Sequence, residues 1–239
     1  MQAQAQTRTL VDIAIPGQGI LRNFALILGF AALTAVAAQI SGTPPGWYAN
    51  AFSWIGLPIE GTPVPISGQT LAVCITGASL GSYRAVASIM LYMLAGIAGL
   101  PVYAGAVSKV FAGEVGFGAT DGSLWSATSF LSIPSGGYII GFIVAAYFIG
   151  WLAERGWDRG VLRITIALVT GNVIIYLLGL PWLYAVLNQD LSWNMNLAKT
   201  LQFGLWPFIP GDILKLAIAT AAVPGAWVLL GRLKGQSWK

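Results

Sequence analysis

The run "LWPFIPGDILKLAIATAAVPGAWVLL", Leu205 to Leu230, is long and apolar enough to cross a bilayer, yet it carries Asp212 and Lys215 near one end. A hydrocarbon layer of about 30 Å takes about 20 helical residues, so this stretch reads as a membrane span. Charges at that depth are expensive, and they point either to a function or to a capping Asp with a snorkelling Lys. Pro210 and Gly211 break the backbone just ahead, which sets Asp212 at or near a helix N-terminus, where the dipole favours an anion. Lys215 follows three residues later, on the same helical face. Together the two side chains offer an acceptor and a donor that a ligand can bridge.

Composition places the whole chain in the same setting. Of 239 residues, 56% are hydrophobic and only 8% are charged. The mean hydropathy is +0.75, whereas soluble domains carry about 25% charged residues. The chain therefore reads as an integral membrane protein, a single membrane domain over residues 1–239. The sequence contains no histidine and one cysteine, which excludes disulfide frameworks, His-based metal sites and Ser-His-Asp or Cys-His catalysis. Cys74 reads as core filling. Despite a pI near 9.3, the basic residues are scattered between apolar runs, so nucleic acid is not an expected partner. "GEVGFGATDG", Gly113 to Gly122, lacks the Gly-Lys-Ser/Thr ending of a phosphate loop, and no ATPase motif occurs elsewhere. Neither a cofactor nor a metal is expected.

Six apolar runs are predicted to span: 22–40, 67–80, 85–100, 136–153, 161–187 and 205–230, giving an all-α membrane protein with the bilayer as its first partner. The second and third are short, and are expected to be packed, tilted or partly re-entrant. Six crossings put both termini on one side. Arg8, Arg22, Arg84, Arg155, Arg159, Arg163, Arg232, Lys234 and Lys239 share that side, whereas Lys109 and Lys199 fall on the other. By the positive-inside rule the termini are cytoplasmic and the chain is a multi-pass protein of a prokaryotic cell membrane. The N-terminal "MQAQAQTRTL" shows no signal-peptide pattern. The outer loops 41–66 and 101–135 are long, uncharged and rich in Gly, Pro and aromatics, and are expected to fold down as a lid. Trp47, Tyr48 and Trp54 are its candidate aromatics, or else members of the interfacial belt.

Two further helix starts lie on the outer side with Asp212. "PVPISGQTLAV" brings Ser67, Gln69 and Thr70, either as hydrogen-bonding groups of a pocket or as a cap with Gln69 in solvent. "IPSGGYIIGF" brings Ser135, two glycines that let backbone approach a ligand, and Tyr138, which can stack or donate. Convergence of three helix starts favours a pocket. Asn172 in "TGNVIIY" is expected to make a helix-helix hydrogen bond, and Arg84 to anchor topology. In the first span, Ala31 and Ala35 form a small-xxx-small pair with Ala38 one turn on, a spacing that suits close helix packing.

Several stretches carry a resemblance: "ALTAVAAQI", "TPVPISGQTLAV", "GASLGSYRAVASIMLYMLAGIAGLPVYAG", "PSGGYIIGF", "IYLLGLPWL" and "PFIPGDILKLAIA". In this order, from about residue 24 to residue 222, they resemble the BioY family, the biotin-specific substrate-binding S components of energy-coupling factor transporters. The resemblance implies a six-helix S component that captures biotin on the outer side. It implies a ligand site at Asp212 and Lys215, with Gln69, Thr70, Tyr138 and Tyr103 as its companions. It also implies docking of a membrane T component on Ala31, Ala35 and Ala38, driven by a cytoplasmic ATPase pair. Such a chain is a transport protein and not an enzyme. Ile133, Pro134 and Ser135 stand where Gly-Pro-Thr is common in the family.

Overall fold

Apolar runs bounded by glycine and proline have one way to satisfy their backbone away from water, and each of them is helical here. The computed structural model describes residues 9–17, 19–42, 62–104, 130–131, 133–189 and 194–235. In order these form α1 (Leu10–Ala14), α2 (Ile20–Gln39), α3 (Gln69–Leu80), α4 (Ser82–Ile97), α5 (Gly136–Ala153), α6 (Val161–Leu187), α7 (Leu197–Gly204) and α8 (Ile209–Lys234). A 3-10 turn, Trp157–Arg159, joins α5 to α6.

Among the described residues, α2, α5, α6 and α8 are long and apolar enough to cross a membrane. The α3 and α4 helices have 12 and 16 residues, which is about 18 and 24 Å of helix. The predicted spans 136–153 and 161–187 coincide with α5 and α6. The last begins later than predicted, at Ile209, because Pro210 suits the first turn of a helix and not its interior. The third begins earlier, because a single residue, Gly81 at φ +79°, turns the chain from α3 into α4. A side chain there would also meet the Glu154 carboxylate, so only glycine allows this turn. The short α1 and α7 helices were not predicted, being too brief to register as apolar runs. Trp47, Tyr48 and Trp54 lie outside the described residues.

Two short strands, β1 (Ser41–Gly42) and β2 (Ile66–Ser67), pair antiparallel with Ser41 opposite Ser67 and Gly42 opposite Ile66. With the Gly68 N–H, which donates to Ala37 O and Ile40 O at 3.0 Å each, they tie the start of α3 to the end of α2. The α5 helix sits between α3, α4 and α6. Its approach to α6 is close: a Cβ on Gly141 would stand 2.9 Å from Ile175 Cα. The α8 helix packs against α3 and α6, and α2 against α4 and α3.

The end of the bundle away from α3's start is held by ions. Arg84 grips Asp12 with both nitrogens at 2.8 Å, and Arg22 adds a third contact at 3.1 Å. Arg84, expected as a topology anchor, is thus also a structural clasp. Burial would raise Asp12, but the hydrogen bonds from Arg84, Thr9 and Arg22 and the Arg84 charge outweigh it and hold the carboxyl well below its usual range. Beside it, Glu154 accepts from the Ser82 N–H at 2.7 Å and the Ser82 hydroxyl at 2.9 Å.

Candidate ligand-binding site

At the other end, the starts of α3, α5 and α8 and the middle of α6 enclose a cavity of about 460 Å3, counting all atom-free space to its mouth. Its walls are mostly apolar, with Ile139, Phe142, Ile175 and Phe208 among the lining residues. Into this surface project Asp212 and Lys215.

The local fold of α8 sets both side chains. Its first residue is Ile209, and no side chain caps its start, so the capping alternative for Asp212 is not what the chain adopts. Asp212 is 5% exposed. Its Oδ1 accepts from Lys215 Nζ at 3.1 Å and lies 3.4 Å from Thr70 Oγ1. Lys215 also donates to Thr70 Oγ1 at 3.1 Å. The Tyr176 hydroxyl donates to Asp212 Oδ2. Three helices therefore meet on one carboxylate: α3 through Thr70, α6 through Tyr176, and α8 itself. A paired carboxylate and ammonium within an apolar wall present an acceptor and a donor without a net charge, which suits a neutral polar group better than an ion.

Gln69 is buried, so the solvent-facing alternative fails for it. Its amide donates to Tyr92 OH at 2.6 Å, and its Oε1 accepts from Ser67 at 2.7 Å. Ser135 and Tyr138 line the cavity as well. The Tyr138 hydroxyl donates to Gly204 O at 2.8 Å, so Tyr138 presents its ring to the cavity and uses its hydroxyl to fix the turn leading into α8. Tyr176, which meets that ring edge-on at 6.1 Å, is the functional candidate that sequence reasoning missed. The stretch "TGNVIIY" carries no signal that singles it out, because an aromatic within an apolar run reads alike whichever way it faces.

The sequence profile of the BioY family matches residues 4–232. The chain belongs to the BioY family. Among its BioY relatives is the "Probable biotin transporter BioY" of Pyrococcus horikoshii, 30% identical over 216 residues, 90% of this chain and 98% of the relative. The "Biotin transporter BioY" of Rhodobacter capsulatus is 29% identical over 82% of this chain and 88% of its own. A crystal structure described as the S-component for biotin from an ECF-type ABC transporter superposes with a TM-score of 0.62 at 20% identity, covering 92% of this chain and 96% of the other. That likeness shows the fold.

Two expectations drawn from the BioY resemblance meet a different geometry. Tyr103 is buried but is not among the cavity's lining residues. Its ring fills the space that Gly96 leaves by having no side chain, its hydroxyl donates to Met93 O at 2.7 Å, and it packs edge-on against Tyr92 at 5.7 Å. It thus supports the partner of Gln69 from behind. On α2, Ala31 and Ala38 are 6% and 0% exposed and Ala35 is half-buried, because this stripe faces α3 and α4. The exposed small residues of α2 are Ala25, Gly29 and Ala32, and a Cβ on Gly29 would meet nothing within 4 Å. At Asn172, where a helix-helix hydrogen bond is expected, Oδ1 is buried without a partner among the described residues.

Proposed function

We propose that this chain captures biotin in the cavity at Asp212 and acts as the substrate-binding S component of an energy-coupling-factor-type biotin transporter. The observation that carries the reading is the Asp212, Lys215, Thr70 and Tyr176 cluster set in an apolar wall, in a chain of the BioY family. Biotin's ureido group has two N–H donors for the carboxylate and a carbonyl acceptor for the ammonium. Its thiophane ring and methylene chain match the apolar wall and the Tyr138 ring. Gln69 and Thr70 complete the polar lining, and Tyr103 acts behind it.

Six crossings complete the reading, with α3 and α4 as short spans beside α2, α5, α6 and α8, and with the termini on the cytoplasmic side as the basic residues indicate. The loops 41–66 and 101–135 then lie outside, over the cavity, as a lid. Membership of a transporter family makes the chain a transport protein and not an enzyme. ATP hydrolysis belongs to a partner ATPase pair, and a membrane T component docks on α2. Its contact is the outward face at Ala25, Gly29 and Ala32, with Ala35 at the edge, while Ala31 and Ala38 hold the helix to its own bundle.

The test is uptake of labelled biotin by cells that lack their own biotin uptake, expressing this chain with a T component and ATPase pair. Accumulation that unlabelled biotin competes away supports the reading. Equal accumulation without the chain overturns it.

A further inference from the structure

Asn172 is buried in α6, and its Oδ1 has no hydrogen-bond partner among the described residues. Two contacts fix where that acceptor points. Thr165, Asn172 and Tyr176 recur at intervals of seven and four, which keeps them within about 40° of one line along α6. Both ends of the line touch α8: Thr165 Oγ1 lies 3.3 Å from Thr220 Oγ1, and the Tyr176 hydroxyl donates to Asp212 Oδ2. Asn172 thus faces α8 between these contacts. It stands about 6 Å deeper in the bundle than Tyr176, and the antiparallel α8 reaches that depth at Lys215 and Leu216, about 4.5 to 6 Å beyond Asp212. Deeper still the packing is apolar, through Leu168, Ala219 and Val223. The Lys215 ammonium is therefore the strong donor that can swing to Asn172 Oδ1.

The carboxylate above it is already crowded with donors. A carboxylate offers about four acceptor positions, and Asp212 accepts from Lys215, Thr70 and Tyr176. A ligand that brings a pair of N–H groups to the same carboxylate needs one of these donors to leave. The Thr70 and Tyr176 hydroxyls each have a single proton, aimed at Asp212, and turning it away strands it against an apolar wall. Lys215 has three N–H donors on a flexible stem. It can release Asp212 and keep Thr70, to which it also donates, once a second acceptor lies within its swing.

We propose that Asn172 is a positioning residue for the ligand, its Oδ1 receiving the Lys215 ammonium when paired N–H groups take up Asp212. In the free chain Lys215 closes on Asp212 and the Asn172 carbonyl goes unpaired. In the bound chain Lys215 bridges Thr70 and Asn172 and turns its remaining N–H to the ligand's carbonyl. The cluster thus exchanges a hydrogen bond for another instead of losing one. This inference rests on the reading that the cavity takes biotin, whose ureido group brings the N–H pair.

The test is titration of biotin into the detergent-purified chain and into Asn172→Leu, which is similar in volume and removes the acceptor, with melting of both in the absence of ligand. Because Oδ1 has no partner in the free chain, the variant is expected to melt no lower than the parent, while its biotin affinity falls on the order of tenfold. Infrared difference spectra of the parent, biotin-bound minus free, are expected to show a side-chain amide carbonyl band moving to lower frequency, and the variant lacks it. Equal affinity of parent and variant, or a parent spectrum without that shift, overturns the proposal. A variant that melts lower and binds more weakly beside an unshifted parent spectrum also overturns it, because Asn172 then acts through packing alone. A folded parent that does not bind biotin overturns the functional reading itself, an outcome distinct from a parent and a variant that bind alike.

Discussion

Lys215 reaches back along α8 to Asp212, its Nζ 3.1 Å from Oδ1, and both side chains are largely withdrawn from solvent at 15% and 6% exposure. The two charges in the last span are therefore partners. Removing one leaves the other buried without its counter-charge, which costs about 3 to 5 kcal/mol in buried pairs. Lys215→Met is expected to lower the melting temperature in detergent as well as biotin affinity. An unchanged melting temperature would mean that the pair does not hold α8 to its neighbours.

Tyr176 is expected to matter for ligand binding more than its apolar surroundings suggest. Its hydroxyl donates to Asp212 Oδ2, and a hydrogen bond to a charged group is worth about 1.5 to 3 kcal/mol. Tyr176→Phe should therefore weaken biotin about tenfold or more in equilibrium titration. Tyr103→Phe, outside the cavity lining, should leave affinity nearly unchanged. The reverse order would place the site on the wrong side of Gln69.

The docking face proposed on α2 allows binding and coupling to be tested apart. Gly29→Trp or Ala32→Trp adds bulk to exposed positions, and is expected to leave biotin binding intact while blocking partner-driven uptake. Ala31→Trp adds the same bulk at a buried position, and overpacking of that size costs about 1 to 3 kcal/mol or more. It should lower the melting temperature and binding together. Normal uptake by both Gly29→Trp and Ala32→Trp would exclude this face as the docking surface.

Much of this was legible in the sequence. Hydropathy alone located α5 and α6, because long apolar helices have only one period and clear glycine boundaries. The pocket was legible through Asp212, because a carboxylate in an apolar run has few other reasons to be there. Tyr176 was not, because an aromatic in an apolar helix looks the same whether it faces lipid, core or ligand. Nor was the facing of Ala31 against Gly29: small residues occur all around α2, and only its contacts with α3 and α4 decide which of them are outside.

Acidity acts on the far end of the bundle through Asp158. Burial pushes this carboxyl up to about 6 from an ordinary 3.8, against the opposing Trp227 hydrogen bond and Arg159 charge. The folded chain thus holds a proton that the unfolded chain has released. The stabilisation is full below about pH 4 and is lost as pH rises through about 6, a change of about 3 kcal/mol. Asp158→Asn keeps an acceptor for Trp227 and cannot titrate. Melting temperatures between about pH 4.5 and 7.5 should fall for the parent relative to this variant, and parallel profiles would contradict the assignment. Asp12, held well below the usual carboxylate range, titrates beneath this window.

Titration of biotin into the purified chain, with and without Asp212→Asn, tests the central claim most directly. Tight binding by the parent and a loss of about 1.5 to 3 kcal/mol in the variant is the predicted result. A folded parent that does not bind biotin, or a variant that binds it as well as the parent, would contradict the account.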